Sequence, residues 1–287
     1  PRATWDLQES ENLCEEISLQ WTNSELPMVE CEPRLVLGGL LIATEEDGSE
    51  RLVPGVWHGI DEGYIDRVWM PDDSCCKGRL AESPDEIVLD AHVVEGLGVD
   101  LGDTVTIGAG QGTLNFTIVG FGHHPMHLYF AAPGSIIPAE SGTFATGYLT
   151  SSGLEALANV SAGSANILLI DVLGTPEYDL QSTDEKEGEL LSAILDSVTI
   201  TVTQIDQSAI IYDRSGVESV EFLRSDAEGA MKTYPVITAM LVLVAGITIF
   251  LSLQRLIQSQ AREIAILRTL GIPRSAIMPS YVLAPMG

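Results

Sequence analysis

The chain has 287 residues, with 41 acidic against 14 basic side chains and a formal net charge of −27. Phosphate contacts need clustered lysine and arginine, so this balance excludes nucleic acid as a partner and argues against docking on an anionic lipid surface. The asymmetry is internal: the first 232 residues hold ten basic and forty acidic side chains, whereas four arginines and the single acid Glu263 come after residue 253.

In chain order, residues 1–50 carry no functional motif. Their short alternating stretches, such as Ile17, Leu19 and Trp21, predict strands, as does the apolar run 35–43 interrupted by Gly38 and Gly39. A turn-rich acidic patch at 45–50 leads into a further strand over 51–60, and residues 71–84 read as a loop. Cys14, Cys31, Cys75 and Cys76 are the four cysteines, all on the N-terminal side of the charge-free stretch at 234–253, so they are disulfide candidates with three pairings open. Adjacent cysteines form a strained ring, which favours Cys14 and Cys31 each pairing with one of Cys75 and Cys76.

Residues 86–130 have the clearest local pattern. Residues 87–89 form a brief buried strand, and Asp90 caps a short helix through Leu97. Gly98 and Gly102 bracket the passage into an alternating strand at 104–107. Gly108, Gly110 and Gly112 then make a turn, and Leu114, Phe116 and Ile118 alternate on the return strand. This glycine turn joins two strands and opens no helix, so it lacks the helix dipole of a phosphate cradle. There is no P-loop of the GxxxxGK[ST] type and no GxSxG nucleophile motif.

His123, His124 and His127 cluster in HHPMH, a grouping able to hold zinc or copper. Pro125 opposes the helix that would align His123 with His127, so a polar loop is the expectation and no metal site is assigned; His58 and His92 read as isolated structural residues. Further on, Ser152 with Glu155 suggests a capping box for a helix to Ala158. A strand at 166–173, an acidic helix at 183–195 and an alternating strand at 198–205 together suggest a βαβ unit.

From Val217 the positions Val220, Leu223, Ala227 and Ala230 form a helical stripe. It leads into residues 234–253, twenty residues with no charged side chain. At about 1.5 Å per residue they span roughly 30 Å, the hydrocarbon thickness of a bilayer. The arginines beyond them, Arg255, Arg262, Arg268 and Arg274, mark the cytoplasmic side, which puts residues 1–233 outside. Residues 277–287 read as the start of a second span, and a further membrane helix ahead of residue 1 is expected for export of the large domain.

The segment REIAILRTLG at 262–271 is an amphipathic helix that Gly271 ends, with Pro273 placed to begin the next helix. This tail resembles the FtsX/MacB family of ABC transporter permeases, in which such a segment comes after the second membrane helix and couples to the ATPase. Arg262, Glu263, Ile264, Leu267, Arg268, Leu270 and Gly271 occupy the matching places, and Ala265 departs from a frequent glycine. The stretch EIVLDAHVVEGLGVDLGDTVTI, with Asp90, Leu97, Gly98, Gly102 and Asp103, is similar to the family's MacB-like extracytoplasmic domain.

The resemblance implies an α+β ectodomain over 1–213, with a β-rich distal part at about 60–150 and a membrane-proximal βαβ part at about 160–206. It also implies a stalk helix at 214–233, a transmembrane helix at 234–253 and a coupling region at 255–275. The functional implication is a permease subunit, not itself an enzyme and without its own cofactor. It would work as a homo- or heterodimer in membrane lipid with a cytoplasmic ATPase that binds the ATP, moving a lipid, lipoprotein, peptide or drug. The alternative is a membrane-anchored sensor or binding module that signals to a cytoplasmic partner.

Overall fold

The computed structural model describes residues 4–21, 28–44, 49–61, 68–70, 76–132, 134–135, 137–172, 185–213 and 216–273. They divide into two compact units, residues 1–223 and 224–287. The expected second span at 277–287, Arg274 and Cys75 lie outside the described residues.

The first element corrects the sequence reading: Leu7–Trp21 is a helix, α1, not a strand. Its start is a reciprocal capping box, in which the Glu9 amide donates to Asp6 Oδ1 (2.8 Å) and the Asp6 amide to Glu9 Oε2 (3.2 Å). The alternation at Ile17, Leu19 and Trp21 is incidental. The residues that choose the structure are Ser10, Leu13 and Ile17, three and four apart and all buried.

Six strands close on themselves. They are β2 (Val36–Thr44), β3 (Glu50–Gly59), β5 (Glu86–Asp90), β6 (Thr104–Ala109), β7 (Gly112–Gly122) and β8 (Ala145–Leu149). The hydrogen-bonded order β7-β5-β8-β3-β2-β6 is completed by pairing of β6 with β7, and the two-residue strand β4 (Lys77–Gly78) adds to β7. The β3–β8 and β5–β7 pairs are parallel; the others are antiparallel. Closure leaves the central strands without free edges.

The main core is built from alternate residues of these strands, among them Leu41, Val53, Trp57, Ile87, Leu89, Ile107, Phe116 and Ile118. Helix α2 (Ala91–Leu97) adds Val93, and α3 (Ser151–Ala158) adds Leu154 and Leu157. Gly39, which interrupts the apolar run of β2, is required by a close approach: a Cβ there would lie 1.9 Å from the Gly108 carbonyl oxygen. The β6–β7 hairpin turns at Gly110, whose φ of 58° is left-handed. The cap of α3 differs from expectation. Thr150 accepts from the Gly153 amide, while Glu155 accepts from the Gly163 amide, so Ser152 and Glu155 form no capping box.

A second layer pairs β1 (Met28–Arg34) antiparallel with β9 (Ile167–Val172). Here the βαβ expectation fails, because the predicted strand at 198–205 continues the preceding helix as α4 (Glu185–Ile205). Its β-branched run is tolerated since Thr199, Thr201 and Thr203 hydroxyls donate to carbonyls four residues earlier. Ile194, Val198 and Val202, spaced by four, then pack on Leu13 and Ile17 of α1. Burial of that stripe outweighs the strand propensity of the run.

The cysteine pairing is also corrected. Cys14 of α1 bonds to Cys31 of β1, with Cα atoms 5.7 Å apart, so the cross-pairing with Cys75 and Cys76 does not occur. Cys76 is disulfide-bonded too. The Cys14–Cys31 bond links α1 to the β1–β9 layer across a separation of 17 residues. Replacing both by serine is expected to lower stability by about 3 kcal/mol, the chain-entropy value for a loop of this size. Denaturant midpoints of the two proteins check this.

The last described elements are α5 (Glu218–Ser259) and α6 (Ala261–Thr269). Helix α5 runs uninterrupted through Pro235 and contains a window of mean hydropathy 2.6 that is entirely unburied, long and apolar enough to cross a membrane. Residues 218–233 of the expected stalk and all of 234–253 lie on this one helix.

Candidate functional site

All five histidines of the chain, expected in separate places, converge. Strand register explains how. In the parallel β3–β8 pair His58 stands beside Tyr148, and in the antiparallel β5–β8 pair Tyr148 stands beside Val88. The three therefore share one face of the sheet, opposite to Trp57 and Leu89, and the period of two returns Asp90 to that face. Asp90 pairs with Gly122 of β7, after which His123 is held by backbone bonds in both directions to Trp69. His124 then caps a single 3-10 turn, Pro125–His127, which brings His127 back over His58.

The cluster has two chemically distinct halves. In the anionic half the Asp90 side chain is fully buried and caps α2, accepting from the His92 amide at 3.1 Å. His92 Nδ1 lies 2.7 Å and His123 Nδ1 3.4 Å from Asp90 Oδ1, and the Tyr148 hydroxyl donates to Oδ2 at 3.0 Å. Burial pushes the Asp90 carboxyl up, but hydrogen bonds from the His123 and His92 side chains and the His92 amide prevail and hold it at about 2. Burial and the Asp90 charge push the Tyr148 phenol well up.

In the cationic half, His58 Nε2 and His127 Nε2 share a 2.8 Å hydrogen bond. Burial, then the neighbouring His127, His124 and Arg34, lower the His58 pKa well below its usual value; burial brings His127 to about 4. Both are neutral at pH 7. His58 Nδ1 is buried with no hydrogen-bond partner among the described residues. Arg34, fully buried on β1, donates to Glu32 through Nε (3.1 Å) and Nη2 (2.8 Å), and its Nη1 lies 3.5 Å from His124 Nε2.

The same loop receives the first turn of α5. Ser219 donates to the Met126 carbonyl and accepts from the Tyr129 amide at 3.4 Å, and the Phe222 ring stacks on Tyr129. The segment that carries His123, His124 and His127 is thus the one on which α5 begins.

The tail residues singled out by sequence fall as follows. Arg262, Glu263, Ile264, Leu267 and Arg268 lie on α6, with Ile264 and Leu267 half-buried and Leu270, just past its end, exposed. Glu263 sits in the first turn and Arg268 in the last, the signs the helix dipole favours. Gly271 has φ of 87° and ends the helix as expected.

No known protein family profile matches the sequence, and no curated protein matches it. Several solved structures are similar in outline, two of them as follows. One is the extracellular domain of the noncanonic ABC-type transporter YknZ from Gram-positive bacteria, at 10% identity and TM-score 0.40, covering 73% of this chain and 88% of that one. The other is the periplasmic region of MacB from Actinobacillus actinomycetemcomitans, at 14% identity and TM-score 0.33, covering 68% of this chain and 84% of that one. Neither assigns a role to any residue here.

The convergence of Asp90, His92 and His123 is not legible in the sequence, although one local signal is present. Asp-Ala-His at 90–92 places a carboxylate and an imidazole two residues apart across a strand-to-helix junction.

Proposed function

We propose that the chain is part of a permease subunit of an ABC transporter of the MacB/FtsX type. It would relay motion from a separate cytoplasmic ATPase to the α/β ectodomain for export or extraction of a lipid, lipoprotein, peptide or drug. The observation that carries the reading is the continuity of α5. One uninterrupted helix is seated by Ser219 and Phe222 on the ectodomain loop, contains an unburied apolar length matching a bilayer, and is succeeded at once by the arginine-bearing helix α6.

A helix without a break transmits displacement along its axis, as a mechanical relay requires. Helix α6 supplies the partner surface: Ile264, Leu267 and Leu270 as apolar anchors, with Arg262, Glu263 and Arg268 beside them. Dimerisation with a second permease chain and embedding in membrane lipid belong to the same proposal.

The test is to tag the chain, purify it gently from its native membrane and identify what accompanies it. A stoichiometric ATPase is expected. The double variant Ile264→Asp/Leu267→Asp should lower its recovery by about 30-fold or more, since a single buried apolar anchor is worth about 2 kcal/mol or more. Unchanged recovery would remove the coupling assignment. A different cytoplasmic partner with no ATPase would assign the chain to anchored sensing instead.

A further inference from the structure

We propose that Asp90, His92 and His123 form a binding site for one divalent transition-metal ion of the zinc class. The site is independent of the transport reading. Each residue offers one ligand atom, and these atoms all lie within 4.8 Å of one another. Bonds of about 2.1 Å in a tetrahedral site put ligand atoms about 3.4 Å apart. The Asp90 Oδ1 to His123 Nδ1 distance, 3.4 Å, already has that value. The 2.7 Å contact of His92 Nδ1 with the same oxygen is a hydrogen bond that opens by under 1 Å when the ion takes the place of the shared proton.

The donor set selects the ion. Two imidazole nitrogens and one carboxylate oxygen suit zinc and its borderline neighbours better than calcium or magnesium, which take oxygen ligands. Three protein ligands leave a fourth tetrahedral position for water. That position faces the accessible side, because the His92 side chain is 43% exposed and His123 18%, whereas Asp90 is fully buried.

The surrounding shell is built for the role. Tyr148 holds Asp90 Oδ2 and so orients the ligating oxygen, the kind of outer hydrogen bond that tunes metal affinity. Phe130 stacks on the His92 ring with centroids 4.8 Å apart, and the Trp69 backbone fixes His123 on both sides. A helix cap needs one acceptor on one amide; a buried carboxylate that also faces two imidazole nitrogens and a phenol exceeds what capping α2 requires. The other histidines do not compete. The Arg34 guanidinium borders their half of the cluster and opposes a cation, and the His58 and His127 Nε2 atoms are occupied by each other.

The ion joins the end of β7 to the start of α2. It fixes the loop on which α5 begins.

The experiment uses the whole 287-residue chain in detergent micelles, stripped of metal with a chelator. Zn2+ is titrated against a chromogenic competitor with excess Mg2+ present to saturate the acidic surface, and Co2+ is added separately as a spectroscopic probe. The expected result is one tight equivalent of Zn2+, a tetrahedral Co2+ absorption band, and a melting temperature raised by about 5–10 °C at a hundredfold excess over Kd. His92→Ala weakens Zn2+ by about 100-fold or more and loses the zinc-dependent rise in melting temperature measured against its own apo form; Tyr148→Phe weakens it about 10-fold. Absence of a stoichiometric site in the wild-type chain overturns the proposal, as does affinity unchanged in both His92→Ala and His123→Ala.

Discussion

Replacing Glu32 with alanine is expected to cost about 3–5 kcal/mol of stability, the range for removing one partner of a buried ion pair. The reason lies in what remains. Arg34 stays fully buried, loses the carboxylate that accepts from both its Nε and Nη2, and still borders His124 and His58. The conservative variant Glu32→Gln keeps an acceptor and should cost less, while Glu32→Leu with Arg34→Met should recover most of the loss, because a packed apolar pair avoids the desolvation of both charges. Urea midpoints monitored by the fluorescence of buried Trp57 measure the series. A loss under about 1 kcal/mol in Glu32→Ala would mean the pair is dispensable.

Acidification from pH 7 to pH 5 is expected to destabilise the N-terminal unit through His58 and His127. Both are neutral in the fold, with pKa values lowered first by burial, to about 4 for His127 and well below the usual value for His58. In the unfolded chain each titrates near 6.5. Between these limits the unfolded state binds protons that the folded state refuses, so stability is complete above about pH 6.5. It declines by about 1.4 kcal/mol per pH unit for each histidine and levels off for His127 below about pH 4. His127 alone therefore removes about 2 kcal/mol by pH 5, and His58 acts in the same direction.

The groups facing the pair set the balance. Arg34 and His124 oppose protonation, and Asp90 favours it weakly at His127. Asp90 itself, held at about 2, contributes no loss until the pH falls below about 4. Melting temperatures across this range measure the effect; a flat profile between pH 7 and 5 would show that the folded state takes up the protons as readily as the unfolded one.

What is legible in the sequence and what is not divides by the range of the interactions. The segment from Glu86 to Gly122 is legible because its signals are local: an aspartate cap, left-handed glycines at 98 and 102, and two alternating strands about a glycine turn. The apolar length of α5 and the Gly271 stop of α6 are local in the same sense. Residues 198–205 mislead because Val-Thr-Ile-Thr-Val satisfies strand alternation and, at spacing four, a helical stripe. Only the presence of Leu13 and Ile17 opposite that stripe chooses the helix. Helix α1 misleads for the matching reason, since its partner face lies almost two hundred residues away.

The sequence by itself determined an acidic domain, a bilayer-length apolar helix and a basic amphipathic segment in that order, since charge and hydropathy belong to the chain before it folds. Tertiary structure alone decided the closure of the strands, the Cys14–Cys31 pairing and the meeting of five histidines around Asp90. Those depend on register: a slip of one residue in β5 would carry Asp90 to the opposite face and away from His123.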